Sequence, residues 1–156
     1  MIDAQEETLV EELPLILTVD DDSVMNVHVM SSLKAHYRVI TLNSGKAALK
    51  FLSENKVDLV ILDINMPEVS GFEVYEKMQQ NKETKDVPVI FLTGVEKEDI
   101  VSQIIKSGAN DYILKPIAPA EILLHVKNQL EMSRKKKLAA VQKPETKKKI
   151  RINAIR

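Results

Sequence analysis

Five positions in this 156-residue chain carry groups that do chemistry when brought together. Asp20 and Asp21 follow directly on the apolar run LILTV, Asp63 closes VDLVILD, Thr93 closes VPVIFLT and Lys115 closes DYILK. A third acid, Asp22, completes the aspartate row, and no Lys or Arg lies within ten residues of it. Carboxylates held together repel and raise one another's pKa unless a cation joins them. A set of oxygen ligands favours a hard ion, Mg²⁺ or Mn²⁺. A carboxylate, a hard cation, a lysine and a hydroxyl together suit phosphoryl transfer. In that chemistry Asp63 is the candidate nucleophile, while Lys115 and Thr93 bind the transferred oxygens. Asp22 has a separate reading, as the cap that starts the following helix.

Strands are needed to bring these groups together. Leu15–Val19, Tyr37–Leu42, Val57–Ile64, Val87–Gly94 and Asp111–Pro116 are short apolar runs rich in β-branched residues. They are uniformly apolar rather than alternating, which predicts a parallel sheet covered on both faces. Stretches of helical spacing separate them. The first predicts a face of Val24, Val27, Met30, Ser31 and Leu33/Lys34. The second, after Ser44 as cap, predicts Ala48, Phe51 and Leu52. The third, about Phe72 to Gln80, predicts Val74, Tyr75 and Met78. The fourth predicts Ile100, Ile104 and Ile105 facing inward, with Gly108 ending it. The last, PAEILLHVKNQLEMS, predicts Ile122, Leu123, Val126 and Leu130. The result is an α/β fold, (βα)5, a doubly wound parallel five-stranded sheet. Such folds bind ligands at the carboxyl ends of their strands, where all five reactive groups lie.

The chain's length suits one domain. It has no cysteine, so disulfides and thiolate metal sites are excluded. No apolar run reaches the roughly 18 residues that span a membrane. The formal net charge of −1 hides a split. From Arg134 onward there are ten Lys/Arg and one acid, Glu145, a charge of +9 that leaves about −10 for residues 1–133. We therefore expect an acidic lead-in at 1–13, a domain at 14–132 and a basic tail or linker at 133–156, in which Pro144 limits any continuous helix. Nucleic acid or an anionic surface is the partner that charge alone would give this tail. His28, His36 and His125 show no ligand spacing and read as structural or surface residues.

VDDD (19–22), LVILDINMP (59–67), VIFLTG (89–94) and DYILKP (111–116), in this order and strand context, resemble the receiver domain of two-component response regulators. The resemblance covers residues 14–132. It implies the flavodoxin-like fold with strand order 2-1-3-4-5. It implies that Asp63 accepts a phosphoryl group from a phosphohistidine on a histidine kinase or a histidine phosphotransfer protein. Asp21 is then the direct Mg²⁺ ligand and Asp20 assists, often through water. Asp63 and the backbone carbonyl of Asn65 complete the protein's share of the metal shell. Lys115 forms an ion pair, and the Lys115–Pro116 peptide is cis. Thr93 swings to the phosphoryl group and Tyr112 turns inward behind it. That changes the face of helix 4, strand 5 and helix 5, which a downstream partner, an output domain outside this chain or a second copy in a homodimer would use. The resemblance implies a cytoplasmic switch rather than a turnover enzyme. A metal-dependent phosphohydrolase is the enzymatic alternative, but such enzymes place an acid two residues beyond the nucleophile, where this chain has Asn65. A constitutive binding module working through the basic tail is the third reading.

Overall fold

The uniformly apolar strands predict a sheet hidden on both faces, and the computed structural model, which describes residues 13–94 and 98–155, has that architecture. Five parallel strands, β1 (Leu15–Val19), β2 (Arg38–Leu42), β3 (Leu59–Asp63), β4 (Val89–Thr93) and β5 (Asp111–Leu114), form one sheet in the order 2-1-3-4-5. Five helices connect or follow them: α1 (Ser23–Leu33), α2 (Gly45–Glu54), α3 (Gly71–Gln80), α4 (Glu98–Ser107) and α5 (Pro119–Ile155). The expected lead-in lies outside the described residues up to position 12, as do positions 95–97 before α4.

Each parallel strand pair requires a crossover, so the helices divide between the two faces. Leu17, Val19, Val60, Leu62, Val89 and Phe91 pack with Ala48 and Leu52 of α2, Val74, Tyr75 and Met78 of α3 and Ile104 of α4. Ile16, Leu59, Ile61, Ile90, Leu92 and Ile113 pack on the other face with Val29 and Leu33 of α1 and Ile122 and Val126 of α5. Phe91, fully buried, holds the first layer through ring contacts with Phe72 at 5.2 Å and Tyr75 at 5.5 Å. Local caps set the helix starts: the side chains of Asp22, Ser44 and Ser70 accept from the backbone N–H of Val24, Ala47 and Glu73. Gly108, at φ 79°, ends α4 in the left-handed region, where a side chain would be strained.

Three expectations about helices are corrected. Of the face expected for α1, Leu33 is buried, but Asn26 and Val29 complete the buried side, and Val24 and Val27 are 76% and 63% exposed. In α4, Ile104 is buried and Ile100 half-buried, but Ile105 lies one position further round the helix and is exposed. The chain also remains helical through Pro144, because α5 runs on to Ile155. The Lys, Arg, Leu, Ala, Gln and Glu residues around Pro144 are strong helix formers, and they outweigh the one hydrogen bond that proline cannot make. No helix among the described residues is long and apolar enough to cross a membrane.

Candidate functional site

The sheet register explains why the reactive groups converge. Val19 lies beside Leu62, Asp63 beside Leu92 and Thr93 beside Leu114, so β1, β3, β4 and β5 end at nearly one level. Side chains alternate along a strand. Asp20, Asp63 and Lys115 continue the rows of Ile16, Ile61 and Ile113 and emerge on the α1/α5 side. Thr93 and Tyr112 continue the opposite row, that of Val89 and Phe91. One period-two rule thus separates a charged trio from a hydroxyl and phenol pair.

The trio is in direct contact. Lys115 Nζ lies 2.9 Å from Asp20 Oδ2 and 3.3 Å from Asp63 Oδ1. Asp20 and Asp63 are almost fully buried, whereas the side chain of Lys115 retains 22% of its exposure. Asp21 is exposed, yet its carboxylate reaches the same space: ligand oxygens of Asp20, Asp21 and Asp63 all lie within 4.8 Å of one another. Burial first, then the charge of Asp20, pushes the Asp63 carboxyl up to about 6 despite the opposing attraction of Lys115. Burial pulls on Lys115 in the other direction, but its hydrogen bond with Asp20 and the charge of Asp63 outweigh it, and the ammonium ends above its ordinary value. One lysine therefore serves two buried aspartates without cancelling the repulsion between them.

Backbone devices hold the trio in place. Asp20 Oδ1 accepts from the N–H of Asp22 at 3.0 Å, so a carboxylate of the site also braces its own loop. Asp22 belongs to the cap of α1 rather than to the carboxylate cluster, as its sequence position suggests. After β3 the chain turns back sharply: the N–H of Gly71 donates to the Ile64 carbonyl at 2.9 Å. A Cβ on Gly71 would fall on the Asp63 carbonyl oxygen and 2.8 Å from the Ile64 Cα. Glycine is required there to bring α3 against the end of β3, and sequence reading sees it only as a break. Within that loop Asn65 is exposed, Met66 is buried and Glu68 takes a positive φ of 65°.

Thr93 is fully buried, and its carbonyl accepts from the N–H of Lys115 at 2.8 Å. Tyr112 is half-buried against the α2–α3–α4 layer. The Lys115–Pro116 peptide is cis. Two histidines act as ties between elements. His28 Nε2 bonds the Ile117 carbonyl at 2.6 Å, and His125 Nδ1 pairs with Asp111 Oδ2, joining α5 to β5. Asn26 was missed by sequence reading: it is 5% exposed, and its Nδ2 donates to the carbonyls of Asp20 and Leu42 at 2.9 and 3.0 Å. No hydrophobic pattern signals such a residue.

The donor set fits a hard divalent cation. It offers only oxygens, brings three carboxylates to one place and leaves their repulsion unbalanced by Lys115.

The family model described as the response regulator receiver domain matches residues 16–127. A rice two-component response regulator, ORR3 (Oryza sativa subsp. japonica), is 34% identical over 118 residues, which cover 74% of this chain and 89% of that protein. A probable cyclic di-GMP phosphodiesterase of Vibrio cholerae is 39% identical over 121 residues, 77% of this chain but only 27% of that protein. The Staphylococcus aureus response regulator SaeR is 34% identical over 52% of its length. The chain thus spans about half or less of several relatives it matches. Among solved structures, a putative response regulator from Chloroflexus aurantiacus superposes with a TM-score of 0.73 at 31% identity, covering 77% of this chain and 99% of that one. The receiver domain of a putative Luxo repressor protein from Vibrio parahaemolyticus gives 0.75 at 26% identity, covering 81% and 97%. With five strands in the order 2-1-3-4-5 and the acids gathered at their carboxyl ends, the chain belongs to the response regulator receiver domains of two-component signalling.

Proposed function

We propose that the chain is a phosphorylation switch whose acceptor is Asp63. The observation that carries this reading is the placement of Asp63, buried at the end of β3, between the Asp20 carboxylate and the Lys115 ammonium, with Asp21 beside them. A carboxylate oxygen of Asp63 attacks phosphorus of a phosphohistidine on a histidine kinase or phosphotransfer protein. The P–N bond breaks, the imidazole leaves with a proton, and a mixed anhydride forms on Asp63. Asp20, Asp21, Asp63 and the backbone carbonyl of Asn65 would hold Mg²⁺, or Mn²⁺. That ion supplies charge neutralisation for the incoming phosphoryl oxygens. Lys115 reaches Asp63 directly and is placed to bind one of those oxygens once Asp63 gives up its negative charge. The acceptor is the protein's own side chain, so the chemistry is a single loading event and not turnover of an external substrate.

Thr93 and Tyr112 make the switch in this proposal. They share the face opposite the trio, and Tyr112 pairs in register with Phe91, two residues before Thr93. A hydroxyl drawn toward the phosphoryl group leaves room behind it for the Tyr112 ring, and the surface of α4, β5 and α5 changes. A downstream protein, an output domain or a second copy would read that surface. We place the receiver at residues 14–132. Residues 133–156, helical to Ile155, carry the basic charge that follows it. To test the switch, the amide spectra of wild type and Asp63→Asn are recorded with Mg²⁺ and beryllofluoride. Shifts reaching Tyr112 and α4 in wild type alone are expected. A silent wild-type spectrum would falsify the reading.

A further inference from the structure

Asp20 is held at every polar atom. Its N–H donates to the Leu42 carbonyl at 3.1 Å, its Oδ1 accepts from Asp22 N–H and its Oδ2 pairs with Lys115. Its own carbonyl lies beyond the last paired residue of β1, Val19, so the sheet ladder offers it no partner. Asn26 supplies one. Its Nδ2 donates 2.9 Å to the Asp20 carbonyl and 3.0 Å to Leu42, the same carbonyl that receives the Asp20 N–H. Both N–H bonds of the amide are committed to backbone that carries or flanks Asp20. The Asn26 Oδ1 is buried without a partner, so this orientation is kept at the expense of the oxygen. Residues next in the helix face outward and apolar, Val24 and Val27 among them, while the polar Asn26 points in. Packing alone selects the reverse pattern.

We infer that Asn26 is a positioning residue of the cation site: it fixes the backbone of Asp20, and through it the direction of the Asp20 carboxylate toward Asp63 and Lys115. The inference rests on the cation reading of the site given above. An apolar residue of similar size at 26 fills the space but leaves the Asp20 carbonyl buried without a donor. The strand end then relaxes, and the carboxylate cluster loses its spacing before the fold is lost. Groups that orient ligands from behind typically contribute roughly 10–100-fold to metal affinity.

The test is a Mg²⁺ titration of the full chain, followed by amide spectra, for wild type, Asn26→Leu, Asn26→Ser and Thr84→Val. Thr84 is a matched control: its hydroxyl is buried and donates to the Met78 carbonyl at 2.8 Å, at the other end of the sheet. Asn26→Leu is expected to weaken Mg²⁺ binding roughly 10–100-fold, Asn26→Ser, which retains a short donor, by less, and Thr84→Val by no more than about twofold. Affinity of Asn26→Leu within about twofold of wild type overturns the inference, as does an equal loss in Thr84→Val. If Asn26→Leu does not fold, Asn26→Ser decides by the same criterion. A wild type with no Mg²⁺ response overturns the cation reading itself, an outcome that is separate from any difference among the variants.

Discussion

The two ends of the sheet treat polar side chains in opposite ways. At the amino end, Asp58, Asn110 and Thr84 answer backbone groups. Asp58 Oδ2 accepts from Leu15 N–H at 2.8 Å, Asn110 Oδ1 accepts from Val89 N–H at 3.1 Å and Thr84 donates to Met78. The first two contacts close the starts of β1 and β4, the third ties down the end of α3, and all three lower the energy of the fold. At the carboxyl end, Asp20 and Asp63 are almost fully buried, more so than the half-buried Asp58 or the exposed Asn110, yet they face each other and depend on one lysine. Stability does not ask for that arrangement, because two like charges out of water repel. The contrast marks where the molecule keeps unbalanced charge available for a ligand.

Removing the lysine breaks the comparison most strongly. Lys115→Met leaves two buried carboxylates without a cation and is expected to destabilise the metal-free protein by roughly 2–4 kcal/mol at pH 7, less than for a fully buried pair because Lys115 is partly exposed. Chemical denaturation in chelator measures this. Removing the acceptor charge acts in the other direction. The folded-state pKa of Asp63, about 6, lies above the ordinary 3.8. The ionised group therefore opposes folding fully above pH 6, and the penalty fades as pH falls from about 6 toward 4. Asp63→Asn is expected to gain roughly 1–2 kcal/mol above pH 6, the linkage value discounted for the open side of the cleft. It should also flatten this part of the stability–pH curve. An unchanged slope would contradict the burial argument.

Smaller effects sharpen the contrast. Thr84→Val at the amino end is expected to lose about 1 kcal/mol with Mg²⁺ binding intact. Asp22→Ala is expected to lose about 1 kcal/mol as a helix cap, with phosphoryl acceptance nearly unchanged. Its neighbour Asp21 is exposed, so Asp21→Ala should hardly alter stability while abolishing Mg²⁺-dependent phosphorylation. Thermal melts and phosphorylation assays on this adjacent pair separate capping from metal binding.

Much of the arrangement was legible in the sequence because each reactive group directly follows an apolar strand, and the topology brings the strand ends together. Asp63 and Lys115, 52 residues apart, meet for that reason. What escaped has a physical explanation. Hydrophobic pattern reports side-chain polarity and not what a backbone carbonyl needs, so it placed Val24 and Val27 inside and overlooked Asn26. Gly71 matters only because α3 approaches the Asp63 carbonyl, a tertiary contact with no local signature. The ties of His28 to Ile117 and His125 to Asp111 likewise join separate elements. Pro144 was read as a break because its local penalty is large, but the helix formers on both sides decide the outcome over the longer segment.

The central claim is that the charged carboxyl end is a cation-dependent phosphoacceptor centred on Asp63. Intact-mass measurement after exposure to a small phosphodonor tests it most directly, with wild type in Mg²⁺, wild type in chelator and Asp63→Asn in Mg²⁺. The account predicts one added phosphoryl group in the first sample and none in the other two. Equal phosphorylation in chelator, or of Asp63→Asn, would contradict it.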